Sequence, residues 1–223
     1  FPRERKCAYR GLQLPDPSEC NPEILNHLTP RNLILAYAQG LFPMVEEEEL
    51  TWFSPDPRGL MPLDDRFHVP RRLGQTIRGG RFACTVDRCF DEVMRLCAER
   101  IGGEPTWISP EIRIAYGRLH ELGLAHSVET WPAGSVGRGS PVGGLYGVAV
   151  AGALFAESMF HTATDAGKVA LVHLVERLRA RGFALCDVQW TSDHLRRFGA
   201  FDVSRAEYRS LLARALVLDC RFD

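Results

Sequence analysis

Val142 to Phe160 reads V-G-G-L-Y-G-V-A-V-A-G-A-L-F-A-E-S-M-F, small or apolar throughout except for a single charge. Its length and the small residues Ala151 and Gly152 predict two short strands joined by a turn. Strands this apolar are covered on both faces, so the pair is expected at the centre of a sheet. The one charge is Glu157. A buried carboxylate is costly unless paired or hydrogen-bonded. It is either half of a structural ion pair or part of a working site.

A second apolar stretch, Phe183 to Trp190 (F-A-L-C-D-V-Q-W), repeats the oddity with Asp187 and Gln189. Side chains alternate along a strand, so these two are expected on one face. Between the stretches lie a turn, His161 to Asp165, and an amphipathic helix, Ala166 to Arg181, with Gly182 placed as a C-cap. A strand–helix–strand unit brings its two strands together in parallel, so Glu157 is expected close to Asp187 and Gln189. Two central strands that both turn polar groups inward resemble the floor of an active site.

Upstream, Phe1 to Pro30 is rich in Pro and polar residues and reads as an arm. Thr29-Pro30 is an N-cap followed by Pro at the first helical position, predicting a helix over Arg31 to Gln39. Glu46 to Glu49 reads as a solvated loop. Trp52-Phe53-Ser54-Pro55-Asp56-Pro57-Arg58 reads as a rigid turn carrying two aromatics, with a short strand, Gly59 to Leu63, after it. A domain boundary is placed near Asp65, giving 1–65 and 66–223. Arg66 to Val86 holds Arg66, Arg71, Arg72, Arg78 and Arg81 and no acid. Such a patch is a solvated helix face or a grip on phosphates. Further on, the pattern predicts a strand at Phe82–Val86, a helix at Cys89–Arg100 and a helix from Pro110 capped by Ser109. A strand at Ala125–Trp131, short helix at Asp193–Phe198 and last helix at Arg205–Leu218 complete the reading. The element order is mixed α/β.

A net charge of −1 gives no global pull toward nucleic acid or membrane, and no apolar run approaches the ~20 residues of a bilayer span. The seven cysteines are scattered and form no C-x-x-C. They read as reduced thiols of a cytoplasmic protein, and no His cluster completes a zinc set. Ser158 lacks the flanking glycines of a nucleophile elbow. Gly143, Gly144 and Gly147 do not make a dinucleotide fingerprint, and Asp165-Ala166-Gly167-Lys168-Val169 lacks the spacing of a phosphate-binding loop. His126 reads as a packing histidine, with His161 and His194 at element ends. Trp52 and Trp107 sit in Pro-flanked turns, where an indole packs into the core or meets a flat base.

Taken in order, the segments L-A-Y-A-Q-G-L-F-P-M (Leu35–Met44), W-F-S-P-D-P-R (Trp52–Arg58) and T-W-I (Thr106–Ile108) resemble the leucyl/phenylalanyl-tRNA–protein transferases. So do H-S-V-E (His126–Glu129), V-G-G-L-Y-G (Val142–Gly147), E-S-M-F (Glu157–Phe160), D-V-Q (Asp187–Gln189) and His194-Leu195. The resemblance implies a small N-terminal domain followed by an acetyltransferase-like (GNAT-type) mixed-sheet domain. It implies transfer of Leu or Phe from aminoacyl-tRNA to the α-amino group of proteins with N-terminal Arg or Lys, marking them for degradation. By position, Asp187 would orient Gln189, Gln189 would draw a proton from the attacking amine, and Glu157 would hold the cationic N-terminus. Trp52 and Trp107 would flank the terminal adenosine. Leu145, Met159, Leu171 and Leu174 would line the donor pocket, and Arg71, Arg72, Arg78 and Arg81 would meet the tRNA backbone. The aminoacyl ester is already activated, so no cofactor, nucleotide triphosphate or metal is expected. A membrane role is not expected either, and the chain is expected to act as a monomer.

Departures from the family pattern fall at Gly167, where Ser is usual, at Ala156, where Gly is usual, and at Leu174, where an aromatic can stand. They bear on donor preference. Two other readings share these residues: an acetyl-CoA-dependent N-acetyltransferase, for which His161 to Gly167 is a poor pyrophosphate turn, and a non-catalytic tRNA-binding module.

Overall fold

Thr29 caps the first helix, α1 (Pro30–Ala38), its hydroxyl accepting from the Asn32 amide, and Pro30 stands at the first turn as expected. The computed structural model describes residues 27–46, 49–99 and 106–223; most of the expected N-terminal arm lies outside them. After α1 come β1 (Phe42–Glu46) and β2 (Glu49–Phe53), an antiparallel hairpin in which Phe42 faces Phe53 and Glu46 faces Glu49. The expected loop and rigid turn are corrected in part: Glu47 and Glu48 lie outside the described residues, and the turn is confined to Ser54–Pro57. Glu46 and Glu49 end paired strands, and Trp52 and Phe53 belong to β2. Pro43 is tolerated because this two-stranded ribbon leaves each strand an outer edge.

The chain continues through β3 (Arg58–Leu60), α2 (Arg71–Arg78), β4 (Phe82–Val86), α3 (Phe90–Ala98), α4 (Pro110–Glu121) and β5 (Ala125–Pro132). Then follow β6 (Gly143–Val150), β7 (Ala153–His161), α5 (Ala166–Ala180), β8 (Leu185–Gln189), α6 (Asp193–Arg196), β9 (Phe201–Val203) and α7 (Arg205–Ala215). Seven strands form one sheet in the order β4-β5-β6-β7-β8-β3-β9. Every described pairing in it is antiparallel except β7 with β8, which is parallel. The apolar stretch that became β6 and β7 is central, and the strand–helix–strand unit is built as expected. β9 was not expected. Its three residues are too few to show a period, and it exists because β3 offers it an edge.

The sheet carries a core on each face. On one, α1, α3, α4 and α7 pack Leu33, Tyr37, Val93, Ile112, Tyr116 and Tyr208 onto Tyr146, Val148 and Phe155. The expected stripe Phe90, Val93, Met94 and Cys97 is the buried side of α3. On the other face α5 packs Val169, Leu171, Leu174 and Leu178 onto Val128, Leu145, Leu154 and Cys186.

Candidate active site

The parallel pairing of β7 and β8 runs from Ala153↔Leu185 to Phe155↔Asp187 and stops, although β7 continues to His161 and β8 to Gln189. Past that point β8 is held from its other side by β3, with Gly59 opposite Gln189. The two central strands therefore part, and Glu157 and Gln189 stand on the two lips of the split.

A β-bulge falls at Glu157. Gly147 faces Ala156 but Tyr146 faces Ser158, so Glu157 is the extra residue. Bulges break alternation. Phe155 and Phe160 point into the α1/α4-side core, while Ala156 and Met159 point toward α5. Glu157 shares the α1/α4 side with Phe155, two residues before it, and its Oε1 accepts from the Tyr37 hydroxyl at 2.6 Å, while the extra residue resets the alternation for Met159 and Phe160. Tyr37 is itself hydrogen-bonded to the Tyr116 hydroxyl. Burial raises both phenol pKa values, with the nearby Glu157 adding to the effect. As a whole residue Glu157 keeps some solvent access, but ionisation is decided at its carboxyl, which lies among protein atoms. Burial pushes that carboxyl up to about 8, against the pull of the Tyr37 hydrogen bond.

Asp187 is fully buried. Arg58 grips it through Nε–Oδ1 at 2.9 Å and Nη2–Oδ2 at 2.7 Å. The Tyr208 hydroxyl donates to Oδ2 at 2.6 Å, and the Gln189 backbone N–H donates to Oδ1 at 2.9 Å. Burial opposes the Arg58 charge, yet Asp187 beside it raises the guanidinium pKa. Gln189 holds a left-handed backbone, φ 57°, a conformation that costs a non-glycine residue on the order of 1–3 kcal/mol. From there its Nε2 reaches Glu157 Oε1 at 3.5 Å, across the split. Asp187 thus meets Gln189 through the main chain rather than through its side-chain amide.

Trp52 and Trp107 are half-buried and packed at the border of the α1/α4-side core. Trp190 is 48 % exposed and meets Phe42 and Phe53 edge-on. Leu145, Leu171 and Leu174 are closed into the α5-side core, with Met159, opposite Leu145, the half-buried member of the set. Arg71, Arg72, Arg78 and Arg81 are exposed, and α2 buries only Leu73. Arg71 and Arg78 line a groove of about 360 Å³ with Val69, Val172 and Glu176, on the α5 side of the sheet and separate from the split. His126 is a packing residue, bonded to Asp87 at 2.7 Å and stacked on Phe222. Cys84, Cys89, Cys97, Cys186 and Cys220 are free thiols. Among the described residues no cluster of His, Cys, Asp or Glu could hold a metal ion, and no helix is long and apolar enough to cross a membrane.

Sequence reasoning missed Arg58, Tyr37, Tyr116 and Tyr208. Arg58 carried a legible signal: a charge heading an apolar strand, the same anomaly that singled out Glu157. The tyrosines carried none, because a phenol on the apolar face of a helix reads as core.

The structure is a mixed α/β fold with a seven-stranded sheet whose central parallel strands part around a carboxylate and an amide, backed by the helix that links them. The family model described as leucyl/phenylalanyl-tRNA protein transferase matches residues 60–213, and the model for that family's N-terminal domain matches residues 26–56. The chain belongs to the leucyl/phenylalanyl-tRNA–protein transferase family. A relative of that name from Herpetosiphon aurantiacus is 51 % identical over 195 residues, covering 87 % of this chain and 98 % of its own. Those from Akkermansia muciniphila and Paramagnetospirillum magneticum are 49 % and 48 % identical, covering 86 % and 88 % of this chain and 97 % and 93 % of their own. A solved structure described as that of L-PGS from Bacillus licheniformis is 12 % identical with a TM-score of 0.46, covering 84 % of this chain and 70 % of that one. That likeness is too loose to add to the assignment.

Proposed function

We propose that the protein transfers Leu or Phe from aminoacyl-tRNA to the α-amino group of proteins bearing N-terminal Arg or Lys, which marks them for degradation in the cytoplasm. The observation that carries the reading is the meeting of Gln189 and Glu157 across the parted strands in a chain of this family. In the reaction the amine nitrogen bonds to the ester carbonyl carbon, the bond to the terminal ribose oxygen breaks, and the proton lost by the amine ends on that oxygen. The ester is already activated, so the protein's task is to orient two substrates and handle one proton. An amide is too weak a base to keep a proton. Gln189 serves by accepting a hydrogen bond from the amine through its carbonyl oxygen, with its NH₂ turned to Glu157. Glu157, when ionised, attracts the cationic N-terminus.

Trp52 and Trp107 flank the terminal adenosine. Met159, at the edge of the split, leads to a donor pocket floored by Leu145, Leu171 and Leu174. An apolar pocket discriminates by only ~1–3 kcal/mol per methylene, consistent with accepting both Leu and Phe. Arg71, Arg72, Arg78 and Arg81 contact the tRNA backbone. The chain acts as a monomer of two domains divided near Asp65, with β3 the strand that the N-terminal part lends to the sheet.

The test is incubation with charged Leu-tRNA, charged Phe-tRNA or acetyl-CoA and a peptide beginning with Arg. Label is expected from the two charged tRNAs; label from acetyl-CoA alone would replace this reading with an acetyltransferase. Gln189→Ala should lower transfer by about 10²-fold or more while tRNA affinity stays intact. Wild-type transfer by that variant would make the inner polar residues structural.

A further inference from the structure

The Asp187 carboxylate has no lone pair left to offer a substrate. A carboxylate presents about four acceptor sites, and these receive Arg58 Nε, Arg58 Nη2, the Tyr208 hydroxyl and the Gln189 amide. The bond that bears on chemistry is the last. It fixes the main chain of Gln189 in its left-handed turn, from which the side chain reaches Glu157. Arg58 is itself fully buried. Its Nη1 donates to the Gly40 carbonyl at 3.0 Å, and its guanidinium carbon lies 4.9 Å and 4.7 Å from the Phe42 and Tyr208 ring centres. The fork is therefore fixed in orientation on every side and points both Nε and Nη2 at Asp187.

We propose that Arg58 is a positioning residue for the transfer reaction, acting through Asp187 to set the backbone of Gln189 and so the aim of its amide. It touches no substrate. The proposal rests on the transferase reading, and its effect belongs to the rate of the bound complex rather than to the affinity for either substrate.

Arg58→Lys tests this with the charge retained. A lysine supplies one point of contact and cannot serve both Asp187 oxygens and the Gly40 carbonyl from one position. The expected result is kcat lowered about 10- to 100-fold, the scale of a small misplacement of a reacting group. KM for aminoacyl-tRNA and for the Arg-peptide should each stay within about two-fold of wild type, as expected when only transition-state positioning is lost. The deciding measurement is the double variant with Gln189→Ala. If Arg58 works through Gln189, adding Arg58→Lys to Gln189→Ala lowers kcat no further, whereas a general loosening of the fold would multiply the two losses.

Tyr208→Phe removes one donor from Asp187 and leaves the ion pair, and it carries the same cycle should Arg58→Lys fail to fold. Its kcat is expected to fall roughly three- to ten-fold, the scale of one hydrogen bond to a charged group, and this loss too should vanish on the Gln189→Ala background. A folded Arg58→Lys with wild-type kcat, or losses that multiply in the double variants, would overturn the proposal. Failure of the wild-type protein to transfer Leu or Phe would instead overturn the function on which it rests.

Discussion

Burial lifts the Glu157 pKa to about 8 from an ordinary 4.5, so near neutrality the carboxyl is mostly protonated. Its neighbours come from six elements: Tyr37 of α1 donates to it, Tyr116, Tyr146 and Tyr208 of α4, β6 and α7 stand close, Asp187 of β8 raises it and Arg58 of β3 lowers it. The folded state therefore binds this proton more tightly than the unfolded chain. The stability contributed is whole below about 4.5 and is lost as pH climbs toward about 8. Glu157→Gln should abolish that decline. Thermal midpoints measured from pH 5 to 9 should fall more steeply for wild type than for the variant between pH 6 and 8.5; parallel curves would mean that Glu157 does not titrate in this window. On the proposed function activity carries the opposite sign, the ionised form being the one that attracts the cationic acceptor. The acceptor's own amine deprotonates near ~7.7–8.0, so Glu157→Gln should keep that part of the pH profile and lose the rest.

The bulge in β7 falls at Glu157 itself, and Gly147 permits it. A Cβ on Gly147 would stand 2.5 Å from the Phe155 carbonyl oxygen, a backbone atom that cannot rotate away. Gly147→Ala should lower stability by about 1–3 kcal/mol and depress transfer beyond that loss, because relieving the clash shifts the bulge at Glu157. Unfolding by denaturant paired with activity in the folded range separates the two effects; full activity with lowered stability would uncouple the bulge from the site. This element also marks how far the sequence could be read. β6, β7, α5 and β8 were legible because their apolar runs, caps and turn residues all agree, and that agreement placed Glu157 near Asp187 and Gln189. The bulge was not, since one extra residue leaves composition unchanged yet resets which face the residues after Glu157 join. The β1–β2 hairpin was hidden by Pro43 and the Glu run, which read as breakers wherever a tertiary neighbour is not in view. The bond of Asp187 to the Gln189 main chain was hidden too, because no residue pattern announces a left-handed glutamine.

At the scale of the molecule the sheet separates two tasks. Glu157 and its partners Tyr37 and Tyr116 lie on the α1/α4 side of the sheet, whereas the basic helix α2 lies against α5 on the other side. The split between the strands lies between the two and is bridged by the Gln189–Glu157 contact, and α5 runs beside it. Val172 and Glu176, which share the groove with Arg71 and Arg78, lie about 9 and 15 Å along the helix from its start at the end of the β7 turn. On the proposed function the tRNA acceptor stem is gripped at α2, on the side of the sheet opposite Glu157. Its affinity should be set by phosphate contacts and fall steeply with salt, at about 0.9 in log–log slope per contact on a duplex. Replacing Arg71 and Arg78 by Gln should raise KM for aminoacyl-tRNA and flatten that slope by roughly two, with KM for the Arg-peptide and the saturated rate unchanged. On the proposed function the peptide N-terminus meets Glu157, on the far side of the sheet from both arginines. An unchanged slope would move the tRNA to another surface. A raised peptide KM would mean that both substrates approach from the α5 side.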